Sequence, residues 1–210
     1  MSVSRRPETV HLWGETLCLN YANSVDWSPG DEHVEPEQTD VLRAEDMLGR
    51  WGRRCDLLGE DAKRASAAEL SRARSLRDAV YRLFSSISRG RPPASRDLDL
   101  LMSNYAEAVS HASLRAGEDL YELDWPRWDP RRIRFAVATD AIALLRDSGR
   151  LGRVGRCPGR GCGWLFLNLS GRRRWCSMST CGSREKMRRL HQRRKKHPAE
   201  RAALLPSGKG

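Results

Sequence analysis

Four of the six cysteines form two short clips near the end of the chain. Each clip has the spacing C-x4-C, and thirteen residues separate the first clip from the second. Soft thiolate sulfur suits Zn2+, which takes four such ligands in a tetrahedron. The spacing therefore predicts one zinc ion held by all four cysteines. These are Cys157, Cys162, Cys176 and Cys181.

The predicted zinc is structural, because four protein ligands leave no open coordination position for a substrate. A small module buries too little apolar surface to fold alone, and metal binding supplies the missing folding free energy. In a reducing cytosol, paired cysteines are more typical of metal sites than of disulfides. Two alternatives stay open from the cysteines alone: four unrelated free thiols, and an iron–sulfur cluster.

Positive charge is concentrated in the same part of the chain. Residues 150–197 contain 15 Lys and Arg and a single acid, Glu185, whereas residues 1–149 contain 21 Lys and Arg and 25 Asp and Glu. Such a field suits a polyanion, and the absence of a lipid-inserting apolar face favours nucleic acid over a membrane. The predicted nucleic-acid contacts are Arg172, Arg173, Arg174, Arg184, Lys186, Arg188, Arg189, Arg193 and Arg194.

Two elements are predicted to position these groups. Residues 163–169 (GWLFLNL) alternate along a strand that is apolar on both faces, so the strand should pack against the N-terminal part of the chain. Trp175 is placed on the return strand of this hairpin. A helix over about residues 182–197 should turn Met187 and Leu190 inward and cover its other directions with positive charge.

The aromatic residues of this module have two possible roles. Trp164, Phe166 and Trp175 could stack on exposed bases, as aromatic side chains do in many single-strand-binding proteins. Beside a metal core, however, buried packing is the more common role. We therefore predict that they pack inside the protein.

Residues 1–149 are predicted to form a mainly α domain. Helical spacing of apolar residues indicates helices from Thr39, as N-cap, to about Leu58, over about residues 62–88, from Ser95, and after Asp129 as N-cap with Pro130 in the first turn. The helix from Ser95 should bury Leu98, Leu101, Met102, Tyr105, Ala108 and Val109. A hairpin is predicted over residues 114–123. The first 30 residues fit either a helix or a strand.

The predicted fold class is therefore a mainly α N-terminal domain with a small β-hairpin, followed by a treble-clef-like ββα zinc finger. The domain boundaries are placed at residues 1–149, 150–197 and, for a disordered tail, 198–210. No apolar run reaches the roughly 18 residues of a membrane span, and residues 1–15 have no apolar signal core. A cytoplasmic protein is expected.

Three short segments resemble the CGNR zinc finger family: residues 162–167 (CGWLFL), 174–178 (RWCSM) and 181–184 (CGSR). In that family an ABATE domain, associated with stress-induced transcription regulation, precedes the finger, and residues 17–25 (LCLNYANSV) are similar to the start of such a domain. The resemblance implies bacterial transcription regulation, and its four ligand positions fall on the four clip cysteines. Ser183 stands where the family name has Asn, and Asn168 where many members have Asp; Ser can still cap a helix.

We interpret the chain as a DNA-binding transcriptional regulator whose N-terminal domain senses a small-molecule effector or forms a homodimer. An enzyme is not expected, because no histidine has a metal-ligand spacing with acids and no nucleophile elbow or phosphate loop occurs. Two alternatives remain: an RNA- or ribosome-associated protein, and a protein-interaction scaffold with a structural zinc. A preference for single strands would favour RNA, and binding with little salt dependence would favour the scaffold.

Overall fold

The computed structural model describes residues 6–25, 40–160 and 162–196, with side chains of the last helix described as far as Arg193. The chain divides into two compact units, Met1–Cys176 and Ser177–Gly210. None of the described helices is long and apolar enough to cross a membrane. Residues 198–210, predicted to be a disordered tail, lie outside the described part.

The described elements are mostly helical, as predicted. In the first unit the helices are α1 Leu17–Ala22, α2 Glu45–Arg54, α3 Ala67–Ile87, α4 Ser95–Ser110, α5 Arg131–Arg146 and α6 Ser148–Leu151. Two antiparallel sheets accompany them: β1 Ser113–Ala116 pairs with β2 Tyr121–Asp124, and β3 Val154–Arg156 pairs with β4 Leu165–Leu167. In the second unit a π-helical turn, Met178–Gly182, leads into α7 Ser183–Lys196. With the cysteine cluster described below, these elements confirm the predicted fold class.

Helix ends follow local hydrogen bonding more than apolar spacing. The Ser66 hydroxyl accepts a bond from the Glu69 N–H, so α3 begins at Ala67 and not near residue 62. The prediction for α2 is wrong at both ends, because the helix covers only Glu45–Arg54. Val41 and Leu42 are buried but not helical. The predicted cap of α2, Thr39, lies outside the described residues. Helix α5 begins at Arg131 with Pro130 at its N-cap position, so the predicted cap at Asp129 is wrong by one residue. The Asp129 carboxylate nevertheless accepts a bond from the Arg131 N–H at 2.9 Å.

The predicted core stripe of α4 is only partly buried. Leu101 and Ala108 are fully enclosed, whereas Leu98, Met102 and Val109 are exposed by 37%, 51% and 46%. Helix α4 packs against α3 and α5, and the stripe of six apolar residues is wider than the face that these two helices cover. The prediction is therefore wrong for the three exposed residues.

A buried arginine lies at the centre of the helical part of the first unit. The Arg134 guanidinium is 1% exposed and donates to Glu69 Oε1 at 3.0 Å, to Glu107 Oε2 at 2.7 Å and to Asn104 Oδ1 at 2.8 Å. The helical spacing of apolar residues did not predict that Arg134 is buried, because the pattern identifies only apolar positions such as Ile133 as members of the buried face of α5. A buried charge needs such partners, since removing one partner leaves an uncompensated charge inside the protein.

Candidate metal centre

The four clip cysteines come together in space. Their Sγ atoms all lie within 4.8 Å of one another, and the Sγ atoms of Cys162 and Cys176 are 3.7 Å apart. A tetrahedral zinc with Zn–S distances of about 2.3 Å places its sulfurs about 3.8 Å apart. The cluster is thus of the right size and donor type for one Zn2+, and all four positions come from the protein.

The first clip is closed by its own backbone. The Cys157 N–H donates to the Trp164 carbonyl at 2.8 Å, and the Cys162 N–H donates to the Gly159 carbonyl at 2.9 Å. Gly163, next to the second cysteine, has φ +147°, a backbone conformation that residues with a side chain rarely adopt. The turn therefore requires glycine at this position.

The second clip ends in the π-helical turn. Within the second unit, the Gly182 N–H donates to the Ser177 carbonyl at 3.0 Å, and Arg184 donates to the Cys181 sulfur at 3.1 Å. The Ser183 hydroxyl donates to the Met178 carbonyl and closes the same turn. In the place of the family Asn, Ser183 thus shapes the entry to α7.

The thiols perturb one another because they are crowded together. Hydrogen bonds from Cys162 and Cys176 lower the pKa of the Cys157 thiol, and the hydrogen bond with Cys157 raises the pKa of Cys162. Several thiolates at this spacing repel one another in the absence of a cation. A divalent metal ion compensates this repulsion, which explains why four cysteines can occupy such a small volume.

The hairpin of the metal module differs from the predicted one. Residues 172–177 are not a strand, so the return strand carrying Trp175 is wrong, and β4 pairs instead with β3, which precedes the first clip. The other edge of β4 is already occupied: the Leu167 N–H donates to the Gly14 carbonyl, and the Asn23 amide bonds both backbone groups of Leu165 at 2.8 Å.

Strand β4 is part of the core of the first unit. Leu165, Phe166 and Leu167 are buried, and the strand lies against α1 and α3. The Tyr81 hydroxyl on α3 donates to the Gly163 carbonyl at 3.1 Å. The structure thus confirms that the strand packs against the N-terminal helices. Asn23 was part of the resemblance to an ABATE domain, but its contact with Leu165, 142 positions away, had no signal in the sequence.

The aromatic residues are mainly inside. Trp164 and Phe166 are 4% and 3% exposed, and Trp175 is half-buried. The Trp164 ring lies 5.6 Å from the ring of Trp13. Packing, as predicted, is the role of Trp164 and Phe166 in this structure.

The predicted nucleic-acid residues fall into two groups by their surroundings. Seven of them are exposed, whereas Arg173 is half-buried. The seven are Arg172, Arg174, Arg184, Lys186, Arg188, Arg189 and Arg193. The side chain of Arg194 lies outside the described part. Met187 and Leu190, expected to face inward, are exposed by 58% and 40%.

Comparison with known families gives two matches in chain order. Residues 15–148 match the ABATE family, described as "Putative stress-induced transcription regulator". Residues 153–194 match the CGNR zinc finger family. No curated protein matches the chain. The two matches have the order that the sequence resemblance predicted, and the four cysteines of the second match form the cluster described above.

Proposed function

Because the chain belongs to the ABATE family and carries a CGNR zinc finger, we propose that it is a transcription regulator that binds duplex DNA through its basic zinc-organised module. Both matched families are regulatory or zinc-finger families, not enzyme families. The proposal places the protein in the bacterial cytoplasm, where DNA and reduced cysteines occur together.

The observation that carries the proposal is the surface of α7. Every described cationic side chain of this helix is exposed, and Glu185 is its single acid. The cations are Arg184, Lys186, Arg188, Arg189 and Arg193. A helix with this density of exposed positive charge suits the phosphate backbone of DNA.

Glu185 forms ion pairs with two of these cations and so lowers the net positive charge of the helix. Its carboxylate accepts bonds from Arg188 at 2.7 Å and from Arg189 at 2.9 Å, and these arginines hold the pKa of Glu185 at about 2. Exposed ion pairs contribute little to stability, so phosphate groups can replace Glu185 as partners of the two arginines. The contacts that we propose are Arg172, Arg174, Arg184, Lys186, Arg188, Arg189, Arg193 and Arg194.

We expect the triple replacement of Arg188, Arg189 and Arg193 by Ala to weaken duplex DNA binding on all sequences alike. An arginine that neutralises a phosphate releases condensed counterions, so without these side chains the log–log slope of affinity against salt should fall in magnitude by about 2 to 3. The measurement is fluorescence anisotropy at several salt concentrations, with zinc content verified in each variant.

The matched control is the triple replacement of Arg89, Arg91 and Arg96 by Ala. These exposed arginines lie in the first unit, so the variant carries the same charge change away from the module. It should retain nearly the wild-type slope. If the α7 variant bound DNA like wild type, the DNA proposal would be wrong. Tighter binding to single-stranded RNA would favour the RNA alternative, and salt-independent binding to protein alone would favour a scaffold.

We further propose that the regulator is a homodimer joined through α4. The exposed residues Leu98, Met102 and Val109, with half-buried Tyr105, are spaced by four, three and four positions. This spacing is the same from either end. Two copies can therefore pair antiparallel about a two-fold axis, with Leu98 of one protomer facing Val109 of the second.

The replacement Met102→Glu should convert the dimer to a monomer, because it places two carboxylates near the centre of this apolar contact. Analytical ultracentrifugation at several protein concentrations would measure the change. Ser103→Glu, exposed about 100° further around the helix, is the control and should remain dimeric. A monomeric wild-type protein at all concentrations would exclude this role for α4.

A further inference from the structure

We propose that Arg173 is a positioning residue for the zinc ligand Cys176, which it fastens to the N-terminal segment Trp13–Glu15, and that it does not contact phosphate. The inference deepens the proposed function, since it assigns one member of the basic run a separate role in the metal module.

The guanidinium of Arg173 is engaged on several sides. Its Nη2 donates to the Trp13 carbonyl at 2.7 Å and to the Cys176 carbonyl at 2.5 Å, and its Nε donates to the Trp175 carbonyl at 3.1 Å. Its Nη1 donates to Glu15 Oε1 at 2.8 Å. All three nitrogens therefore have an acceptor within the first unit, which leaves the guanidinium group poorly placed to bind a phosphate.

The environment of Arg173 differs from that of its neighbours. Its side chain is 21% exposed and lies over the Phe166 ring, with 4.7 Å from the guanidinium carbon to the ring centroid. Arg172 and Arg174 are both exposed. Three consecutive arginines thus have two kinds of surroundings, although the sequence makes them look equivalent.

The N-terminal end of this connection is firmly held. The Gly14 N–H donates to Asn20 Oδ1 at 2.7 Å, and the Gly14 carbonyl accepts from the Leu167 N–H at 3.1 Å. An added Cβ on Gly14 would lie 2.7 Å from the Asn20 nitrogen, so the segment passes where only glycine fits. Arg173 ties the backbone at Cys176 to this anchored segment.

An arginine is required because the acceptors surround a planar group. Carbonyls from two parts of the chain and one carboxylate are reached by nitrogens in a fixed fork. A lysine would bring the same charge but a single donor atom, so it could reach only some of these acceptors. Without the arginine side chain, the loop that contains Cys176 loses its connection to residues 13–15, and the site should release zinc more readily.

The test compares Arg173→Ala and Arg173→Lys with Arg172→Ala and Arg174→Ala in the full chain. Two quantities are measured: the rate of zinc transfer to a chromogenic chelator, and the salt dependence of DNA affinity in excess zinc. We expect Arg173→Ala to release zinc at least about tenfold faster, within the range known for groups that orient metal ligands, and Arg173→Lys to fall in between.

The neighbouring variants should behave in the opposite way. Arg172→Ala and Arg174→Ala should keep the wild-type zinc release rate and each lose about one unit of salt slope, whereas zinc-loaded Arg173→Ala should keep its slope. Should Arg173→Ala fail to fold, Glu15→Gln, which removes one ionic partner of the fork, should still speed zinc release. Wild-type zinc release from both Arg173→Lys and Glu15→Gln would overturn the proposal, as would a loss of slope in zinc-loaded Arg173→Ala.

Discussion

Replacement Cys176→Ser is expected to reduce the zinc content from one ion per chain to nearly none and to disorder the two cysteine clips and the π-helical turn. Cys176 supplies one of four ligands, and zinc binding supplies much of the folding free energy of such a module. Helices α3, α4 and α5 should persist, because they bury a core of their own around Leu76, Phe84 and Phe135. Elemental analysis and far-ultraviolet circular dichroism would measure the two effects.

The matched control for this experiment is Cys55→Ser. Cys55 lies outside the cluster of four, and burial raises the pKa of its thiol, so its replacement removes a half-buried cysteine that is not one of the four ligands. This variant should hold one zinc ion. Full zinc content in Cys176→Ser would contradict the four-cysteine site, and iron with visible absorbance in the wild-type protein would indicate a cluster in place of zinc.

The second large effect is expected for Leu165→Asp, which should destabilise the whole first unit by about 3 to 5 kcal/mol. Leu165 is fully buried on β4, where its backbone bonds to the Asn23 amide. A carboxylate there would be buried, and the packing of the leucine side chain would be removed as well. Arg156 lies opposite on β3, but its Nε already donates to the Tyr81 hydroxyl at 3.2 Å. Urea unfolding followed by the helical signal should show a lower midpoint. Leu167→Asp, at a position 1% exposed, should act in the same way.

Leu169→Asp provides the control. It lies on the same alternating side of the segment as Leu165, but it is 56% exposed. The carboxylate can remain hydrated there, so the change in unfolding free energy should stay within about 0.5 kcal/mol. If Leu165→Asp left the unfolding of the helices unchanged, β4 and the helical core would be energetically independent.

Local sequence determined the chemistry of the metal site. The two C-x4-C clips and their thiolate chemistry predict a four-cysteine zinc site without knowledge of any distant contact. The motifs around them also predicted the families. Helical spacing of apolar residues predicted the three long helices that the structure places at residues 67–87, 95–110 and 131–146. These features depend on residues that are close in the chain, where spacing alone places side chains on one face or in one turn.

Only the tertiary structure decided which surfaces are inside. Spacing predicts that α4 has an apolar face, but the helices that meet it determine that Leu98, Met102 and Val109 stay exposed. Spacing likewise gives no reason to bury Arg134, whose partners Glu69 and Glu107 come from two other helices. Burial depends on neighbours far away in the chain, and no local pattern identifies those neighbours.

Arg172, Arg173 and Arg174 show the same difference between what the local sequence predicts and what the tertiary structure decides. As a sequence they are three equal charges beside a zinc ligand, and counting charge predicts a single role for all three. The fold brings the carbonyl of Trp13, about 160 residues earlier, within 2.7 Å of one of them. A hydrogen bond requires an acceptor at a particular distance and angle, so the role of Arg173 arises only when both parts of the chain have been placed together.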